Sequence, residues 1–172
     1  MIVVFTQSSE TFKIEIAIAP DKDNYFAQSV LITLPVIKYN GEHNKGDVYT
    51  DRFADFRTAV NTMVNVVASQ INWALVDRYD ELLALVVEGR DYQEQIRLVR
   101  ETEELCRLGQ SALQFFADNY QALPSGQFEN FRFEPLPEEI VKALKSRRDD
   151  PEVKIEIGKK YHEASQHLVF AE

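Results

Sequence analysis

Cysteine is nearly missing from this chain: Cys106 stands alone among 172 residues, so neither an internal disulfide nor a cysteine-built zinc site can be assembled. That poverty suits a reducing compartment, and the cytoplasm is the expected location. Long apolar runs are missing too. Met1-Ile-Val-Val-Phe5 is interrupted by Gln7-Ser-Ser-Glu10 and Lys13, well short of a signal-peptide core or the ~20 apolar residues of a membrane span. Basic residues are outnumbered, 19 against 28 acidic, for a net charge of −9, which argues against nucleic acid or an anionic membrane as the main partner. The six glycines and six prolines are scattered, leaving no linker, repeat or low-complexity tract. A chain of this length can bury roughly 70% of its unfolded surface, so a single domain over residues 1–172 is expected, with no cofactor needed to hold it.

Three regions follow from periodicity. In residues 1–40, Phe12, Ile14, Ile16 and Ile18 alternate with Lys13, Glu15 and Ala17, the period of two that lays one face of a strand on a core. Gln7 to Glu10 reads as a hairpin turn, Phe26 to Tyr39 is β-rich, and Pro35 marks an edge or bulge. These form a three-stranded antiparallel meander. Asn40 to Thr50 is turn chemistry, with Thr50 or Asp51 as the expected N-cap of a helix. From 51 to 123 there is no proline, and Phe53, Phe56, Val60, Met63, Val64, Val67, Ile71, Leu75 and Leu82 recur at helical spacing. Gly89-Arg-Asp91 divides the stretch into an αα-hairpin whose second helix runs toward Pro124. Residues 124–172 read as a strap, a short helix over Pro137 to Arg148, a short strand at Val153, Ile155 and Ile157, and a tail.

The second helix carries two apolar stripes. One contains Tyr92, Ile96, Val99, Cys106, Leu113, Phe116 and Tyr120; the other contains Leu98, Leu105, Leu108, Ala112 and Phe115 at heptad spacing. Val66, Trp73, Val76, Leu83 and Val87 form a second stripe on the first helix. A helix apolar on two sides must be covered on two sides. The sheet covers one, and the expected cover for the other is a second copy, in a homodimer seam of Trp73, Leu83, Leu98, Leu105, Leu108 and Phe115; the alternative is cover by the strap and C-terminal segment. Residues 51–88 as one helix would run ~57 Å, so the helix either breaks near Gln70 to Trp73 or protrudes and pairs.

Chemistry is sparser. Asp77-x-x-Asp80 and Glu101-x-x-Glu104 face each other across the turn of the hairpin, where four acids could offer oxygen ligands to Mg²⁺. The arrangement resembles the ExxE…ExxD signature of the all-α nucleoside triphosphate pyrophosphohydrolases, which implies metal-dependent nucleotide hydrolysis. It departs from that signature by aspartates in the first pair, a glutamate in the final position and a β-rich start. The competing reading is a solvated face laced by Arg97 with Glu101 and Glu103 with Arg107, with no metal bound, and it is the expected one. His162 and His167 are spaced i, i+5 and so miss the i, i+4 geometry of zinc ligation. Lys142, Lys145, Arg147 and Arg148 are interleaved with acids as a solvated helix end. Phe128, Phe131, Phe133 and Leu136 form an irregular strap that either packs on the hairpin or docks a partner.

The sequence thus predicts an α+β fold with an N-terminal antiparallel meander on a long αα-hairpin, followed by a C-terminal helix and short strand. The expected function is that of a non-enzymatic, oligomerising adaptor or regulatory protein acting on an unnamed protein partner. The runner-up is a small-molecule module with a pocket between sheet and hairpin, and a metal-dependent hydrolase comes last.

Overall fold

A computed structural model describes residues 2–35, 38–39, 42–43, 46–125, 138 and 140–142. The expected α+β architecture is present. Among the described residues, six strands, β1 (Val3–Ser8), β2 (Phe12–Asp21), β3 (Asn24–Thr33), β4 (Lys38–Tyr39), β5 (Glu42–His43) and β6 (Asp47–Phe53), precede two helices, α1 (Phe56–Glu88) and α2 (Tyr92–Tyr120). Glu138 and residues 140–142 are also helical. The main sheet has four antiparallel strands in the order β1-β2-β3-β6, and β4 pairs with β5 in a separate ribbon.

The strand β6 falls where turn residues were expected, so the three-stranded meander becomes a four-stranded sheet. It pairs with β3 from Tyr25↔Phe53 to Leu31↔Asp47. The entry to β6 depends on Gly46, whose φ is +67° and whose backbone lies so close to β3 that an added Cβ would sit 2.1 Å from the Leu31 carbonyl oxygen. A side chain has neither the room nor the backbone angle there. The helix start moves accordingly. Phe53 belongs to the strand, and Asp55 is the N-cap: its Oδ2 accepts from the Thr58 N–H and hydroxyl, both at 2.9 Å.

The chain divides into two compact units, the first comprising Met1–Ile71 with Arg107–Phe131 and the second Asn72–Cys106 with Arg132–Glu172. Each helix contributes one segment to each unit. In the first unit, Phe12, Ile14, Ile16 and Ile18 of β2 are buried with Ala59, Val60, Met63, Val64, Val67 and Ile71 of α1 and Ala112 and Phe116 of α2. Aromatic rings run through it: Phe5 meets Phe115 at 4.9 Å, Phe115 meets Tyr120 at 5.8 Å, Tyr120 meets Phe56 at 6.0 Å and Phe56 meets Tyr25 at 5.5 Å. Arg57 donates to the Tyr120 and Gln121 carbonyls, satisfying acceptors that the C-terminus of α2 leaves open.

In the second unit, Leu82, Val86, Leu98, Val99 and Ile140 form a buried cluster with Tyr79, Leu83, Leu85 and Val141 packed against it. The turn between the helices is closed as the sequence suggests. Gly89 has φ +66°, its N–H reaches the Val86 carbonyl at 3.2 Å, and the Arg90 N–H reaches Leu85 at 3.3 Å, the paired bonds of a Schellman motif. Buried Gln95 adds a second tie, its Nε2 donating to the Leu85 carbonyl at 3.1 Å and to the Arg90 carbonyl at 2.8 Å.

α1 is unbroken through residues 70–73, so the expected alternative of a break there does not arise. No helix among the described residues is long and apolar enough to cross a membrane.

Candidate functional site

The four hairpin acids separate by environment. Asp77 and Asp80 on α1 are exposed, whereas Glu101 and Glu104 on α2 are buried, so the expected solvated face is corrected for half of the set. A helix places residues four apart on one side, and Arg97 takes that position toward Glu101 and forms an ion pair with it. Arg78 approaches Glu101 from α1, with Nε 3.5 Å from Oε1. Arg97 also forks onto Glu94, Nε to Oε2 at 2.9 Å, and comes within 3.9 Å of Glu81. The hydrogen bond from Arg97 holds the Glu94 carboxyl below the usual glutamate range, and the same bond, with the charges of Glu101 and Glu81 behind it, raises the arginine.

Glu101 is therefore engaged by two guanidiniums, Arg97 from its own helix and Arg78 from α1, and the second of these ties α1 to α2. Among the described residues, no three His, Cys, Asp or Glu side chains gather as a metal site. His162 and His167 lie outside the described residues, as do Lys145, Arg147 and Arg148; Lys142 is exposed and pairs with Glu138 at 3.2 Å. Cys106 is buried, in keeping with its place in an apolar stripe.

The two stripes of α2 meet a different fate from the one expected. Ile96, Val99, Cys106 and Phe116 of the first are buried, and so are Leu98, Leu105, Leu108 and Ala112 of the second. A single chain covers both faces at these positions. For Leu98 the cover includes Ile140 of the C-terminal helical residues, which is the intrachain alternative. Phe115 is half-buried, its ring between Phe5 and Phe116, and Leu83 is half-buried against the second unit's cluster. Of the six residues expected in a seam, only Trp73 is exposed, at 64%. Val87, two heptads along the same helix and so on nearly the same face, is 57% exposed. Phe128, Phe131, Phe133 and Leu136 of the strap lie outside the described residues.

Sequence reasoning passed over Gln70 and Gln95, both buried. Their signal is a polar residue in phase with an apolar stripe: Gln70 follows Met63 and Val67, and Gln95 precedes Leu98 and Leu105. A buried amide at such a position implies backbone partners, and both glutamines have them.

Comparison with protein-family models, with curated proteins and with solved structures finds no match to this chain.

Proposed function

We propose that the chain is a non-enzymatic, oligomerising adaptor or regulatory protein that works through protein–protein contact in the cytoplasm, with the outer face of α1 as one of its contact surfaces. The reading is carried by Trp73. It is the sole tryptophan of the chain, it stands exposed in mid-helix, and it shares its face with exposed Val87. Tryptophan is among the residues most enriched where truncation costs a complex most, and Val87 adds a second exposed apolar side chain to the same face, with exposed Asp80 between the two. The buried, single cysteine suits a reducing compartment.

Parallel affinity purifications of the native protein and of Trp73→Ala test the reading. Chains retained by the wild type and lost by the variant support it, whereas identical sets of retained chains overturn it. Trp73 also supplies its own readout, because its emission moves to shorter wavelength when a bound partner removes it from water. Unchanged emission on addition of a retained chain would place the contact elsewhere.

A further inference from the structure

The strand β1 occupies one edge of the main sheet, and among the described residues only β2 pairs with it. Its register with β2 is one-to-one from Val3↔Ile18 to Ser8↔Lys13, without a bulge. The Ser9 N–H donates to the Phe12 carbonyl at 2.7 Å, continuing that register. Backbone groups alternate in direction along an antiparallel strand, so Val3, Phe5 and Gln7 bond to β2 while the N–H and C=O groups of Val4 and Thr6 face away from it, where no strand lies among the described residues.

Edges are ordinarily guarded by charge, proline or a bulge. The opposite edge is guarded in that way, since β6 carries Asp47, Asp51 and Arg52. Residues 2–9 of the β1 edge, Ile-Val-Val-Phe-Thr-Gln-Ser-Ser, hold no charge and no proline. Ile2 and Val4 expose 67% and 63% of their surface beside it.

We propose that this edge pairs antiparallel with the same edge of a second copy, joining two four-stranded sheets across a two-fold axis. The inference rests on reading the chain as self-associating. A second copy is the occupant that the charge pattern favours. The chain's net charge is −9, yet on this edge two copies meet with no carboxylate between them, and a basic partner finds no carboxylate to read. An antiparallel pair of identical strands also satisfies two-fold symmetry without further adjustment.

The register that pairs every residue from 2 to 8 sets Phe5 opposite Phe5 of the second copy and Val4 opposite Thr6 of the second copy. Phe5 is then a non-hydrogen-bonded pair, with Cα atoms about 4.5 Å apart. Its neighbour Phe115 comes to the seam as well.

Charge reversal tests the contact and its register together. Val4 and Thr6 are exposed and their backbone groups face away from β2, so neither change enters the core; Thr6 stands opposite Glu15, and circular dichroism of each variant checks that the fold is kept. In sedimentation equilibrium of the full chain at micromolar concentration, the wild type is expected as a dimer. Val4→Lys/Thr6→Lys sets lysines directly opposite one another and is expected as a monomer, as is Val4→Glu/Thr6→Glu. An equimolar mixture of the two variants should re-form a dimer. Overturning results are a monomeric wild type, a dimer that survives in either variant, or a mixture that stays monomeric. A monomer whose Val4 and Thr6 amides resist hydrogen exchange would show the edge filled by its own chain, for instance by the alternating Val153, Ile155 and Ile157. A dimer untouched by these changes and lost in Trp73→Ala would sink this edge contact while leaving the proposed function standing.

Discussion

The Ser29 hydroxyl on β3 donates to Gln70 Oε1 on α1 at 2.5 Å, and both side chains are buried. The Gln70 amide group returns two bonds, to the Ser29 carbonyl and the Asp47 carbonyl, each at 3.2 Å. One side chain thus binds α1 to β3 and to the first residue of β6. Polar groups withdrawn from water must be paired, and here the pairing specifies which part of the helix lies over which strands. A purely apolar contact would allow sliding; three directed bonds do not.

Gln70→Leu keeps the volume and removes all three bonds. The Ser29 hydroxyl and carbonyl then lose a partner in a buried setting, where each orphan costs about 1–3 kcal/mol before the added apolar burial offsets part of it; the Asp47 carbonyl is only part-buried and turns to water. A net loss of about 2–4 kcal/mol is expected. At roughly 2–4 °C per kcal/mol for a chain of this size, melting falls by about 4–16 °C. Adding Ser29→Ala should cost less than its effect in the wild type, because the hydroxyl is already unpaired; urea unfolding of the four proteins measures that coupling.

Gly46→Ala should loosen one edge of the sheet and spare the other. Its φ of +67° and the 2.1 Å approach of a new Cβ to the Leu31 oxygen force the backbone away from β3. The left-handed conformation alone costs roughly 1–2 kcal/mol for a residue with a Cβ. Native-state hydrogen exchange should show faster exchange in Asp47–Phe53, with the β1–β2 amides unchanged. Equal acceleration in all strands would mean that β6 is not separately held.

The miss at β6 has a physical reason. Periodicity reports burial, and this strand buries little: its pattern is exposed or half-buried throughout. Phe53 and Phe56, three apart, also imitate the opening of a helical stripe. By contrast, β2 was legible because Phe12, Ile14, Ile16 and Ile18 are all buried on one face. The hairpin was legible because its stripes run unbroken by proline. Two stripes on α2 say that both faces are covered, but they do not say by what, and Leu98 finds Ile140 of its own chain. The same limit applies to the acids, since a carboxylate four residues from an arginine reads alike whether water or a second guanidinium completes its surroundings.

Asp55 ties α1 stability to pH. Hydrogen bonds from the Thr58 backbone and hydroxyl hold its carboxyl below the usual aspartate range. A depressed folded value contributes stability that is present above the unfolded pKa of about 3.9 and is lost as pH falls through the folded value. Asp55→Ala should therefore melt below the wild type at neutral pH, with the gap closing in acid. Asp55→Asn keeps an N-cap acceptor without its charge, so it should stay closer to the wild type at neutral pH. A gap to Asp55→Ala of constant size from neutral pH into strong acid would remove the cap's charge from the explanation.

Glu101 separates an ion-pair role from a metal role in one set of melts. Its carboxylate is buried between Arg97 and Arg78, and breaking a buried pair by removing one partner costs about 3–5 kcal/mol. Both guanidiniums here keep contact with water, Arg97 more than Arg78, so Glu101→Ala is expected near the lower end of that range. Asp77 is exposed, and Asp77→Ala should stay within about 0.5 kcal/mol of the wild type, as surface changes away from such ties do. Mg²⁺ should leave every melting temperature where it was, because a ligand that binds only the folded state raises it. A rise with Mg²⁺ in the wild type that disappears in Asp77→Ala would instead make the hairpin acids a metal site, with Glu101 shared between the ion and its arginines.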